Sequence, residues 1–455
     1  MAPLSHSLDR IGVAFDDPHA VAHAGLLLPA TRAQKLGLSA LVDQHLDLGT
    51  APGHAHVGLK AMTMVAAMLA GADSIDDTDL LRAGASAAVL GHPLRAPSTL
   101  GTFLRSFTYG HVRQLDAVSR AVLARAWGAG AGPGVAPLTI DVDSTICETY
   151  GPAKQGAGFG YTKVRGYHPL LATRAGAGDV LHARLRGGRA NSGRGGASFL
   201  RETFARVRAA GASGLLTLRA DSGFYAQAVV RTCRRADVRF SITVRLHPAL
   251  RTAIATIPAE AWTPIPYWSS TGTFGFDANG QPISGADVAE TSYTPFGTRG
   301  TPVRLIVRRV RPTPDSQLAL FTDFAYHAFI TDRAGDTLTL EADHRAHAEV
   351  ETAIRDLKEG AGLAHLPSGR FAANAAWLAF AVWAHNLRRW VSAIGLPDAI
   401  PARTTAATLR RRLFALPGRL TRSARCWTLH LPRAWPWQAL VNAALTRLRA
   451  VRASC

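Results

Sequence analysis

A few carboxylates, two imidazoles and one ammonium have the types and spacing to handle a phosphodiester. The stretch Leu138-Thr-Ile-Asp-Val-Asp-Ser-Thr-Ile-Cys147 alternates β-branched and polar residues, which predicts a half-buried strand. Residues two apart in a strand point the same way, so Asp141 and Asp143 share a face opposite Ile140 and Val142. Two adjacent carboxylates repel, and burying them uncompensated is costly. A hard divalent cation held by their oxygens relieves both problems; a solvated acidic edge strand is the plainer reading of the pair taken alone.

Two later stretches bear on that choice. Leu215–Tyr225 predicts a strand ending at Asp221 on a turn, a common position for a site residue in α/β folds. An aspartate there also suits a helix cap. Glu341–Glu359 predicts a helix with Val350, Ala353, Ile354 and Leu357 as its apolar stripe. At roughly 100° per residue, His344, His347, Glu351 and Lys358 fall on nearly one face, with Glu349 roughly opposite and facing solvent. Such a face suits a metal and phosphates together, although a solvated, salt-bridged helix face has the same composition. A strand Asp, an Asp after a later strand and a helical Glu form an ordered carboxylate set. Such a set holds two divalent metals that activate a water or 3′-hydroxyl and stabilise the leaving oxygen.

The elements that must position these groups are legible in outline. Residues 1–130 read mainly as helices, over Thr31–Leu46, Leu59–Leu69, Ser74–Ala83, Thr99–Phe107 and His111–Ala126. That pattern is compatible with a helix-turn-helix reader or with a plain bundle. Gly128–Pro137 shifts in composition to a linker or exposed loop and marks a domain boundary. Phe159–Ala172 places Tyr161, Lys163 and Arg165 on one aromatic and basic face if it is extended. Val180–Leu185 and Val238–Val244 predict further strands. The glycine-rich run Gly187–Gly196 matches neither a Walker A loop nor a GxGxxG turn, so a flexible connection or a basic DNA-contacting loop is expected. Residues 255–330, with Pro264–Ser269, Val303–Val310 and Leu318–Ile330, predict a β-rich insertion.

Lys and Arg number 51 against 32 Asp and Glu, a net charge of +19. The excess favours a polyanionic partner, nucleic acid first. The chain is long enough for two or three domains. After Asp398 there is no Asp or Glu, while arginines recur among Trp427, Trp435 and Trp437. Such a tail suits a DNA backbone or packs against an acidic core. Cys147, Cys233, Cys426 and Cys455 have no paired spacing, which excludes a disulfide framework and a zinc motif and favours a reducing cytoplasm. No charged and apolar leader opens the sequence, so no signal peptide is expected. The apolar run Ala375–Ala384 is too short to span a bilayer, so no membrane partner is expected.

Asp-Val-Asp-Ser-Thr with Phe-Gly-Tyr-Thr-Lys-Val-Arg-Gly-Tyr-His-Pro-Leu-Leu-Ala, then Arg-Ala-Asp-Ser-Gly-Phe-Tyr, then Glu-x6-Lys, resemble a DDE transposase, transposase DDE domain group 1. The match is nearest the bacterial insertion sequence 1380 family and covers nearly the whole chain. The resemblance implies an RNase H-like α/β catalytic core (137–250 and 331–395) interrupted by the β-rich insertion (251–330). It further implies a helical, DNA-end-binding region (1–130) and a basic C-terminal region (396–455). It implies a cut-and-paste enzyme using two Mg²⁺ ions, with Mn²⁺ able to substitute. Its partners would be the double-stranded terminal inverted repeats and target DNA, its active complex a homodimer, and its compartment the bacterial cytoplasm, at the nucleoid. The catalytic, metal-holding acids carried over are Asp143, Asp221 and Glu351, with Asp141 a rival for the first position and a further metal ligand. Lys358, Tyr161, Lys163 and Arg165 would contact DNA. His344 and His347 stand where the related group's signature has Tyr and Arg and would grip phosphates in their place. A metal-dependent nuclease without strand transfer, a non-catalytic DNA-binding protein and an inactive copy are the competing readings.

Overall fold

The computed structural model describes residues 8–51, 53–160, 162–191, 193–266, 285–297, 300–311, 324–401 and 403–453. Tyr161 and parts of the expected runs at 264–269 and 318–330 lie outside them. After a two-residue strand, β1 (Ala20–Val21), come helices α1 (Leu27–Lys35), α2 (Leu38–His45), α3 (Val57–Ala70), α4 (Ser86–Leu90), α5 (Pro97–Arg105) and α6 (Tyr109–Ala126). The single helix expected over residues 31–46 is two, because Gly37 adopts φ 63°, a left-handed turn that glycine permits. In α3 only Leu59 and Ala70 escape full burial, so α3 has no free face with which to read a DNA groove.

The strands follow as β2 (Leu138–Ser144), β3 (Cys147–Glu148), β4 (Gly158–Phe159), β5 (Arg165–Tyr167), β6 (Leu170–Arg174), β7 (Val180–Arg184), β8 (Leu216–Ala220), β9 (Val238–Val244), β10 (Thr263–Pro264), β11 (Ala286–Tyr293), β12 (Val303–Val310) and β13 (Ala325–Thr331). Nine of them form one mixed sheet in the order β10-β11-β12-β13-β9-β8-β2-β6-β7. Strands β2, β8 and β9 run parallel; the others pair antiparallel. Strand β8, flanked by its parallel partners β2 and β9, is buried along its whole length, as parallel strands covered on both faces are. The region expected as an insertion continues this same sheet, since β13 pairs with β9 from Ala328↔Val244 to Thr331↔Ser241.

Helices α7 (Gly196–Ala209), α8 (Gln227–Arg235) and α9 (Pro248–Ala255) lie between the strands, and α10 (Thr337–Arg345) and α11 (Glu349–Gly360) follow β13. Next comes α12 (Phe371–Trp390), carrying the fully buried Trp377, Trp383 and Trp390. It packs on α3, α5 and α6 and also on β7 and α11. The tail adds α13 (Ala406–Leu409), the hairpin β14 (Gly418–Ser423) and β15 (Cys426–His430), and α14 (Gln438–Ala450). One apolar cluster runs from Leu26 through the sheet to Leu448. The stretch expected as a linker or exposed loop at 128–137 opens on a helical turn, is exposed from Gly134 to Pro137, and joins elements that share one core. Trp127 is buried there and donates to Asp179 at 3.2 Å. No helix among the described residues is long and apolar enough to cross a membrane.

Candidate active site

Strands β2 and β8 are paired in parallel, with Asp141 beside Arg219 and Val142 beside Ala220. Asp143 and Asp221 each stand one residue beyond that last pair, so both carboxylates emerge where two adjacent parallel strands end. This is the edge at which open α/β sheets place ligands. Asp143 accepts from the Ser144 N–H at 2.6 Å. One oxygen of Asp221 accepts from Gly223 N–H at 3.1 Å, capping the turn Ser222–Phe224. The expected cap is present and uses one oxygen.

The third acid arrives on α11. That helix buries Val350, Ala353, Ile354 and Leu357, the stripe expected from its period, and packs against β2 and β6. Glu351 is exposed on the other side. Together with Asp143, Ser144, Thr145 and Lys358 it lines an open cavity of about 360 Å³. Lys358 donates to the Ile146 carbonyl at 2.8 Å, fixing the helix to the loop that follows β2.

Electrostatics tie the three acids together. Burial pushes the Asp143 carboxyl up to about 6; the Ser144 N–H opposes this, the Asp221 and Glu351 carboxylates add to it, and His347 lowers it. Asp221 is likewise raised, by burial first, against the Gly223 N–H and the positive fields of His347, Arg245 and His168. Carboxylates held above their ordinary range by burial and like charge are what a bound cation relieves. Their oxygens are hard donors suited to a divalent ion, and the buried Nε2 of His347 has no hydrogen-bond partner. This donor set fits a metal. The ligand atoms do not yet converge on one ion: the trio whose donors all lie within 4.8 Å, among the described residues, is Asp116, His182 and Glu202. That trio is occupied by arginines. Arg206 pairs with Asp116, while Arg184 at 2.6 Å and Arg113 at 3.2 Å pair with Glu202. It is a compensated ion-pair network beside α6, β7 and α7.

Asp141 differs from Asp143 in its partners. It is 1% exposed and accepts two parallel bonds from Arg219, both 2.8 Å. Its charge is neutralised by a guanidinium, so the expected metal-ligand role does not fit its bonding. Arg219 also reaches Asp343 at 3.2 Å on α10, and Arg333 pairs with Asp343 in turn. Sequence reading overlooked Arg219; its signal was a cation inside the otherwise uncharged strand Leu216–Ala220. It also overlooked His168, buried and bonded to Ser144 Oγ at 2.9 Å.

The two helical histidines part company. His344 stacks on Phe329 with ring centroids 4.0 Å apart, and its nitrogens meet Ser241 Oγ at 2.8 Å and Thr243 Oγ1 at 3.0 Å. Burial, aided by His347, Arg219, Arg333 and Arg308, pushes its pKa down to about 3. A neutral ring with both nitrogens engaged cannot grip a phosphate, so the expected contact from His344 is not available. His347 Nδ1 lies 2.9 Å from Asp141 Oδ1. Glu349, expected to face solvent, instead accepts from Gly176 N–H at 3.2 Å and from Arg403 at 2.9 Å.

The basic face beyond β2 is arranged differently from the expected row. Lys163 is exposed at φ 58°, whereas Arg165 clamps the Gly151 and Pro152 carbonyls. The glycine-rich loop packs onto the small sheet β3-β5-β4. A Cβ on Gly188 would come within 2.1 Å of the Gly166 carbonyl oxygen, so glycine there permits close backbone approach.

The chain matches the family described as transposase DDE domain group 1 over residues 5–453. No curated protein matches it. Among solved structures, a cryo-EM structure of a piggyBac transposase synaptic complex with hairpin DNA is similar, with TM-score 0.44 and 10% identity over 94% of this chain and 82% of that one.

Proposed function

The chain belongs to the transposase DDE domain group 1 family, and from that premise we propose that it cuts DNA at the ends of an insertion sequence and joins the freed 3′-hydroxyls to target DNA. The single observation that carries this reading is that Asp221 stands level with Asp143 on the adjacent strand while Glu351 shares a cavity with Asp143. These acids come from two adjacent strand ends and one helix, and both Asp221 and Glu351 raise Asp143. The run β7-β6-β2-β8-β9, with the first acid on its middle strand, supports an RNase H-like core. Asp143, Asp221 and Glu351 would hold the divalent ions, Mg²⁺ first. Two such ions supply Lewis acidity to an attacking oxygen and stabilise the leaving one. Arg219 keeps Asp141 out of that set and locks β2 to β8 and α10. Lys358 and Lys163 would contact the DNA backbone in this reading, and the net charge of +19 would draw the duplex in. A homodimer handling two ends together is part of this reading.

Substitution of the acids tests it. Asp221→Ala or Glu351→Ala should abolish Mg²⁺-dependent nicking of duplexes carrying the element ends, by at least about 10³-fold. Gel-shift affinity for the same duplexes should stay within about threefold. Nicking retained by either variant removes that residue from the site.

A further inference from the structure

The imidazole of His347 is held against the buried Asp141–Arg219 ion pair. Its Nδ1 is 2.9 Å from Asp141 Oδ1. Both oxygens of Asp141 already accept from Arg219, so this carboxylate stands as an acceptor towards the ring. Nδ1 therefore donates, which leaves Nε2 as the ring atom that can offer a lone pair. That nitrogen is buried without a hydrogen-bond partner, and buried polar atoms of this kind are uncommon enough to require a reason. Asp143 and Asp221 both lie within electrostatic reach of this ring. It is placed by the turn Ala346–Ala348, directly before α11, one helical turn ahead of Glu351.

An imidazole whose second N–H is donated to a carboxylate is the usual arrangement of a metal-binding histidine, because the carboxylate fixes the tautomer and raises the basicity of the other nitrogen. We propose that His347 Nε2 is a nitrogen ligand to a divalent cation held with Asp143 and Asp221, an inference that rests on the acid-site reading above. Asp141 and Arg219 are then positioning residues: they orient His347 and touch neither metal nor DNA. His344 takes no part, since hydroxyls occupy both its nitrogens. The ligand atoms do not all lie within 4.8 Å of one another, so binding requires the carboxylates to close around the ion. A borderline nitrogen donor among hard oxygens favours Mn²⁺ over Mg²⁺ relative to an all-carboxylate site.

Mn²⁺ bound to the full-length protein is the probe. Electron spin-echo envelope modulation should show ¹⁴N coupling from one imidazole, converted to the ¹⁵N pattern when the wild-type protein is labelled with ¹⁵N-histidine. His347→Gln should lose that coupling and weaken Mn²⁺ binding about tenfold or more, with a smaller loss for Mg²⁺. His344→Gln should retain the coupling. Bound Mn²⁺ without nitrogen coupling in the wild type, or coupling that survives His347→Gln, overturns the inference. The labelled wild type decides the matter even where a variant misfolds. Asp221→Asn separates the two levels: Mn²⁺ affinity unchanged from wild type would contradict the acid site itself, whatever His347 does.

Discussion

Asp141 and Asp143 show how far single residues can be read without coordinates. Strand period places them on one face, and nothing local distinguishes them. The distinction comes from Arg219, which stands beside Asp141 in the parallel pairing of β2 and β8 and is 78 residues away in sequence. Asp143, one step past that pairing, keeps its charge for the site. Breaking the buried pair should be costly: Arg219→Met leaves the buried Asp141 with His347 alone as its side-chain partner, and urea unfolding should show a loss of about 3–5 kcal/mol. Asp143 behaves in the opposite way. Its carboxyl is held at about 6 against an ordinary 3.8, so between those pH values the folded chain keeps a proton that the unfolded chain has released. Metal-free stability should then fall as pH rises from about 4 to about 6 and level off above. Asp143→Asn removes the repelling charge and should stabilise the metal-free protein at pH 7 by on the order of 1–3 kcal/mol. A lower melting temperature for that variant would contradict this account. In the same window, metal must displace the Asp143 proton, so cation affinity should decline below pH 6.

At the scale of elements, local pattern revealed which segments are strands and helices better than it revealed their partners. The apolar stripe of α11 was legible because a helix buries a face of its own period. The pairing of β13 with β9 was not, because it joins residues more than 80 positions apart and a strand's sequence does not name its neighbour. The tail was half legible. Among its arginines, Arg410 donates to the Leu69 and Gly360 carbonyls, whereas others form an exposed set on the β14–β15 hairpin. There Arg419, Arg422 and Arg425 are exposed beside Trp427, itself 56% exposed and stacked by Arg422 at 5.4 Å. A two-stranded ribbon of this kind fits a DNA groove. Replacing the three arginines with glutamine should leave folding intact and reduce the slope of log affinity against log salt by about 2–3. An unchanged slope would mean the hairpin does not meet DNA.

The whole molecule is more unified than its composition suggests. The glycine-rich break after Ala126 looks like a boundary, yet α12 serves both the N-terminal helices and the sheet, and one core cluster spans them. Leu409, Leu413, Phe414, Val441, Ala444 and Leu448 of the tail lie in the same cluster. Truncation after residue 398 should therefore unfold the protein rather than merely weaken DNA binding, and calorimetry of the full chain should show one cooperative transition. A folded truncation product would show the tail to be peripheral. At the end of this sheet it is the joining of strands that separates a transposase from a nuclease. Purified protein, Mg²⁺ and a labelled duplex carrying the element's terminal repeats should yield strand-transfer products, and Asp221→Ala should yield none. Nicks without joined strands, or joined strands that persist in Asp221→Ala, would contradict the transposase reading.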